Sequence, residues 1–166
     1  MMRRMASFEK VSKKQFAEDV KKYGFDVKDA AYDEIVVPKR ATQGSAGYDF
    51  YLPMDLVLPF ETSIRIPSGI RCNMEPGWVL LLFPRSSLGT NYQLRLDNTV
   101  GVIDADYYQA KNEGHILIQI TNHSLKKETL FLKKGTAFVQ GIFLPFGITY
   151  EDDAQLQRQG GFGSTG

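Results

Sequence analysis

Cysteine is almost absent from this sequence. Cys72 is the only one in 166 residues, which excludes an intrachain disulfide framework and a cysteine-rich zinc site. Histidine is scarce as well. His115 falls in a strand pattern and His123 in a turn; both read as structural or solvated, and without a suitable imidazole a Ser-His-Asp arrangement is hard to build. No G-x-x-x-x-G-K-[ST] stretch occurs, so a P-loop is excluded. Neither sign of charge dominates, with 20 Lys plus Arg against 19 Asp plus Glu. That balance argues against a general nucleic-acid or membrane-surface binder. The longest apolar runs, such as residues 78–83, are far too short to span a bilayer. The basic start Met1-Met2-Arg3-Arg4 leads into no apolar stretch, so no secretory signal is expected. What remains is ordinary for a soluble globular protein, 43% apolar and 23% charged. A single cytoplasmic domain with a short appendage is the expectation.

The appendage is residues 1–32. Ser12-Lys13-Lys14-Gln15 has the form of a capping box, Ser12 as N-cap and Gln15 reaching back. Phe16, Ala17, Val20 and Tyr23 follow on one helical face. Lys21, Lys22 and Gly24 supply a C-terminal stop. One short amphipathic helix is expected, docked on the main domain or on a neighbouring subunit. From residue 33 to 150 the texture becomes β. Strands are expected at 35–37, 48–52, 56–58, 63–66, 78–83, 94–96, 100–103, 115–121, 129–132, 137–143 and 148–150. Close spacing with Gly, Pro, Asn and Asp between them predicts an all-β sandwich or barrel, with no room for parallel crossovers. Residues 151–166 form a polar, then glycine-rich arm, a composition expected to be flexible in isolation.

Chemistry-bearing residues sit where these strands end. Gly44-Ser45-Ala46-Gly47-Tyr48-Asp49 places the Asp49 carboxylate in an apolar strand, where burial demands a partner. Pro84-Arg85-Ser86-Ser87-Leu88-Gly89 reads as a turn: either an anion cradle of guanidinium, hydroxyls and amides, or a solvated surface turn. In the stretch from Asn98 to Tyr108, Val100, Val102 and Ile103 lead into Asp104 and Asp106. The two carboxylates would face one side of an extended segment. They could hold a metal, activate water, or simply cap a strand. Gln140 is a polar residue in a strongly apolar strand. Arg158-Gln159-Gly160-Gly161-Phe162-Gly163-Ser164-Thr165-Gly166 offers phosphate donors and a ring for base stacking, or is a plain tail.

In this order the segments resemble the motifs of the trimeric dUTPase family. The resemblance rests on Ala46-Gly47-Tyr48-Asp49, Pro84-Arg85-Ser86-Ser87-Leu88, Gly101-Val102-Ile103-Asp104-Ala105-Asp106-Tyr107, residues 135–140, and Arg158 with Gly161-Phe162-Gly163-Ser164-Thr165-Gly166. It covers residues 35–166 and leaves the N-terminal helix outside.

The resemblance implies a jelly-roll-like β-barrel of short strands assembled as a homotrimer. Its active sites lie between subunits, and the C-terminal arm of one chain closes over a site built by others. It implies hydrolysis of dUTP to dUMP and pyrophosphate, keeping dUTP low and supplying dUMP for thymidylate synthesis. Mg2+ would be held through substrate phosphates and waters rather than by the chain. Asp104 matches the carboxylate that activates water, and Tyr107 the aromatic beneath deoxyribose that leaves no space for a 2′-hydroxyl. Asn98, with backbone groups of Gly101, Val102 and Ile103, matches the readers of the uracil edge. Arg85, Ser86, Ser87 and Gln140 fall on the phosphate side. Phe162 matches the ring that stacks on uracil, while Arg158, Gly163, Ser164 and Thr165 belong to the arm that grips the β- and γ-phosphates. Asp49 and Asp106 support the site. The sequence departs from the family pattern in the longer loop 108–114, in Ser87 where Gly is common, and in an Arg158 one residue nearer Phe162. Related dCTP deaminases share an Arg-Ser-Ser turn, and a catalytically idle interaction module on this fold is a further alternative.

Overall fold

The computed structural model describes residues 3–28 and 30–155; Arg158, Phe162, Gly163, Ser164 and Thr165 lie outside them. In chain order its strands and α-helices are β1 (Ala6–Lys10), α1 (Lys13–Lys22), β2 (Lys39–Arg40), β3 (Tyr48–Tyr51), β4 (Leu56–Leu58), β5 (Ser63–Pro67), β6 (Ile70–Met74), β7 (Trp78–Pro84), α2 (Ser86–Tyr92), β8 (Leu94–Leu96), β9 (Gly101–Asp104), β10 (Leu117–Asn122), β11 (Leu130–Leu132) and β12 (Ala137–Pro145). All strand pairs are antiparallel. They form four sheets, ordered β1-β6, β5-β10-β8, β11-β4 and β2-β3-β12-β7-β9. The architecture is the expected all-β, jelly-roll-like one.

The largest sheet carries most of the residues singled out above. In β7, Leu80 and Leu82 point into the core with 0% and 1% exposure, and their alternation with less buried neighbours is the period-two pattern of a strand. In β12 the alternation breaks, because Phe138 and Val139 are both fully buried. A register shift between Ala137 and Val139 accommodates them. Such a bulge re-aims the residues beyond it, and here it sets Gln140 opposite Asp49 of β3.

Several expectations need correction. Residues 35–37 are not a strand: Ile35 is buried, but Val36 and Val37 are exposed, and Pro38 cannot donate to a ladder. Residues 148–150 form no strand either, and Ile148 and Tyr150 are exposed. The segment after Arg85 is the helix α2, anchored by buried Leu88 and closed by Gln93 at φ 49°. Three strands escaped the sequence reading, the two-residue β2 among them. β1 has one large apolar residue in five, and it is a strand because it pairs with β6. β6 alternates buried Ile70, Cys72 and Met74 with outward Arg71 and Asn73. Burial pushes the Cys72 thiol up to about 12, so it is a packing group rather than a nucleophile.

Helix α1 docks where expected. Phe16 and Val20 are buried and the helix packs against β5; each such side chain contributes about 1.5–3 kcal/mol. Its N-cap is Ser12, whose Oγ accepts from Gln15 N at 3.1 Å. The return half of the capping box comes from elsewhere. Glu113 accepts from Ser12 N and Oγ, both at 2.7 Å, while the Gln15 amide donates to Asp19 at 2.8 Å.

Asp19 is buried against His115 at 2.6 Å. Burial alone would raise its carboxyl, but hydrogen bonds from His115 and Gln15 outweigh that and hold it below its ordinary 3.8. Glu113 is also lowered, by its bonds from Ser12. Lowered carboxyls stabilise the fold above their unfolded pKa and lose that contribution as pH falls through the folded one. Urea midpoints are therefore expected to drop as pH is taken below about 4, and Asp19→Asn to flatten that drop; identical pH profiles for the two proteins would refute the assignment.

Candidate active site

The Asp49 carboxylate has the partner its burial required. Its side chain is 13% exposed, and Oδ1 lies 3.4 Å from Arg85 Nε. Arg85 follows β7 directly, and its backbone N–H donates to Phe138 O of β12 at 3.2 Å. Gln140 stands opposite Asp49 on one side and Phe83 on the other, and its Nε2 donates to Pro84 O at 3.5 Å. Gly47 closes the group: a Cβ there would sit 2.5 Å from Gln140 Oε1, so only glycine leaves that amide its place. Ser86 and Ser87 are exposed in the first turn of α2, where a helix's N–H groups lack intrahelical partners. The first, second and fourth sequence segments thus meet at one end of the sheet in a corner that gathers a guanidinium, two hydroxyls and a side-chain amide. Tyr51, two residues beyond Asp49, belongs to it too. Burial, then the Asp49 charge, raises its hydroxyl, and Arg85 opposes. The i, i+2 spacing was the signal that could have marked it.

The third segment forms a second group. Asn98 is exposed in the turn between β8 and β9, with Thr99 at φ 66° and Thr99 N donating to Leu96 O at 2.9 Å. Gly101 is buried against Leu82, whose Cβ a methyl group at Gly101 would approach to 3.0 Å. Val102 is exposed and Ile103 buried. Asp104 and Asp106 do not share an extended face, contrary to expectation. β9 ends at Asp104, half-buried, and residues 105–109 coil into a 3₁₀ helix for which Asp104 is the N-cap. That coil buries Tyr107. Its hydroxyl donates to His115 O at 2.7 Å and accepts from Asn112 Nδ2 at 2.9 Å.

The family model for dUTPase matches residues 33–166. The chain belongs to the dUTPase family. The chain is 43% identical over 136 residues to the deoxyuridine 5′-triphosphate nucleotidohydrolase of Lactococcus lactis subsp. lactis, an alignment covering 80% of this chain and 89% of that protein. It is 33% identical to the Tolumonas auensis protein of the same name, over 81% of this chain and 89% of that protein. Among solved structures, dUTPase from Streptococcus mutans superposes with a TM-score of 0.67 at 36% identity, covering 86% of this chain and 97% of that one. A dUTPase from phage phi11 of S. aureus shares the fold, with a TM-score of 0.65 at 19% identity, over 92% of this chain and 98% of that one.

Within this dUTPase the two groups are held apart by β7. Asp104 pairs with Val79 near its start, whereas Arg85 follows its end. At ~3.3 Å per residue, the intervening stretch separates them by roughly 20 Å. Beside Asn98 of the second group, a pocket of about 430 Å3 is lined by Asn98 and Gly101 together with Arg65, Asp97 and Gln119. Arg65 donates to Gln119 Oε1 through Nε at 2.9 Å and Nη2 at 2.6 Å, and Gln119 donates to Asp97 at 2.6 Å. The sequence reading missed this chain of polar groups, which two separate strands and a turn bring together.

Proposed function

We infer that this chain hydrolyses dUTP to dUMP and pyrophosphate, which keeps dUTP low and supplies dUMP for thymidylate synthesis. The observation that carries this reading is the family match over residues 33–166. The corner formed by Gly47, Asp49, Arg85 and Gln140 supports it. Water attacks the α-phosphorus in line and loses a proton to Asp104 as the bond to the pyrophosphate oxygen breaks. Arg85, Ser86, Ser87 and Gln140 hold the phosphates, and fixed donors around charge that builds during reaction are the largest catalytic contribution in such sites. Asn98 and the backbone at Gly101, Val102 and Ile103 read uracil. The Tyr107 ring lies beneath deoxyribose. Asp49 keeps Arg85 aimed, and Asp106 supports the turn after Asp104.

The roughly 20 Å between Asp104 and Arg85 is too far for both to reach the reacting end of one triphosphate. The complete site therefore joins the Asp104 group of one subunit to the Arg85 group of another. We propose a homotrimer on that basis, with the arm 151–166 of a further chain closing over the site through Arg158, Phe162, Gly163, Ser164 and Thr165. Exposed Leu144, Phe146, Ile148 and Tyr150 recur at every second residue, an apolar row suited to a neighbouring chain.

The donors on the phosphate side are a guanidinium, hydroxyls and an amide, a set made for anions rather than for a cation. Mg2+ fits this set as an ion carried on phosphate oxygens and water, where it would neutralise charge on the departing pyrophosphate. No helix among the described residues is long and apolar enough to cross a membrane; action on a soluble nucleotide in the cytoplasm is the proposal.

A pyrophosphate-release assay with Mg2+ against dUTP, dTTP, dCTP and UTP tests the reading. Rapid turnover of dUTP alone is expected. Ammonia release from dCTP would point instead to a deaminase, and silence on all four to an interaction module.

A further inference from the structure

Residues 1–32 lie outside the family match, and loop 108–114 departs from the family pattern. The structure ties these two features to each other. Tyr108 of the loop donates to Glu9 of β1 at 2.8 Å. Glu113 accepts both donors of Ser12, the N-cap of α1. The third tie is Asp19 of α1 to His115, the residue just past the loop, at 2.6 Å with both side chains buried. Each tether joins groups at least 96 positions apart in the chain.

The third tether reaches the sugar aromatic. The Gly69 N–H donates to His115 Nε2 at 2.8 Å. A backbone N–H can only donate, so Nε2 is the accepting nitrogen and Nδ1 carries the hydrogen given to Asp19. The imidazole is thereby pinned at both nitrogens, by α1 on one side and by the turn between β5 and β6 on the other. Fixing the ring fixes the residue's own carbonyl, and that carbonyl accepts the Tyr107 hydroxyl at 2.7 Å. Asn112 donates to the same hydroxyl at 2.9 Å and to the same carbonyl at 3.3 Å. Gly114, at φ 69°, lets the chain fold back so tightly that a Cβ would lie 2.7 Å from Tyr107 O.

We propose that Asp19, Asn112 and His115 are positioning residues for sugar discrimination: the N-terminal segment braces the loop that sets the Tyr107 ring against deoxyribose. This inference rests on the reading of Tyr107 given above. A ring that excludes a 2′-hydroxyl does so by distance, so a shift of well under 1 Å in its seat opens the space. α1 is then part of the specificity apparatus although it touches no substrate.

The test compares kcat/KM for dUTP and UTP across variants of the full chain, with Tm alongside. Asp19→Ala and Asn112→Ala are each expected to raise the UTP-to-dUTP ratio about tenfold. Asp19→Asn keeps an oxygen in place for the His115 N–H, and its ratio should stay near that of the parent. Val20→Ala, which cuts the buried face of the same helix without touching His115, should lower Tm and leave the ratio alone. Tyr107→Ala reports on the underlying reading. If it relaxes discrimination while Asp19→Ala and Asn112→Ala lower Tm only, the brace is refuted and the reading of Tyr107 stands. If Tyr107→Ala leaves the ratio unchanged, the sugar role and the brace fall together. Asn112 is half-buried in the loop, so its variant decides the matter should Asp19→Ala not fold.

Discussion

Asp104→Asn is expected to abolish useful turnover while leaving the assembled protein intact. The amide matches the carboxylate in shape, and residue 104 stands at the N-cap of a short 3₁₀ helix without a side-chain capping bond, so the exchange removes no cap. What the amide cannot do is take the proton of an attacking water. Loss of a general base costs about 10²–10⁴ in rate, and the defect should appear in kcat with little change in KM, because ground-state binding does not use that proton transfer. Steady-state kinetics with dUTP, beside circular dichroism and sedimentation of the variant, measure both halves of this expectation. A kcat within severalfold of the parent would remove Asp104 from the role of base.

Mixing two dead variants should restore activity. Arg85→Ala loses the guanidinium proposed to hold phosphate and the partner of a nearly buried Asp49; Asp104→Asn loses the proposed base. Within one subunit the two positions stand at opposite ends of β7. When the variants are unfolded together and reassembled in equal amounts, about a quarter of the sites in a closed ring would draw Asp104 from one type and Arg85 from the other. The mixture is expected to reach about a quarter of the parental rate on that count, far above either variant alone. No recovery, with mixed assemblies shown by mass spectrometry, would mean that each subunit carries its own complete site.

The sequence was informative where one segment acts alone. Period-two burial in β7 and the stop at Gly24 needed nothing but neighbours in the chain. Asp49 announced through its apolar strand that it required a partner, and Arg85 supplied it. Several misses share a cause: they depend on groups distant in sequence. β1 is a strand only because β6 offers its edge. The return half of the α1 capping box comes from Glu113, not from Gln15. His115 read as structural or solvated and is fully buried just before β10, yet its partner Asp19 could not be guessed from either local pattern. Asp104 and Asp106 misled because alternation assumes an extended chain, and the chain coils between them.

β7 also works as a ruler. Its seven residues fix how far Asp104 stands from Arg85 within one subunit, and so, in the proposed shared site, where neighbours would have to dock for the two to meet. Lengthening the strand by one residue would turn every later side chain over. Lengthening it by two would restore their facing but carry the ends about 6.6 Å further apart. Each subunit could then remain well folded while the enzyme as a whole lost its geometry.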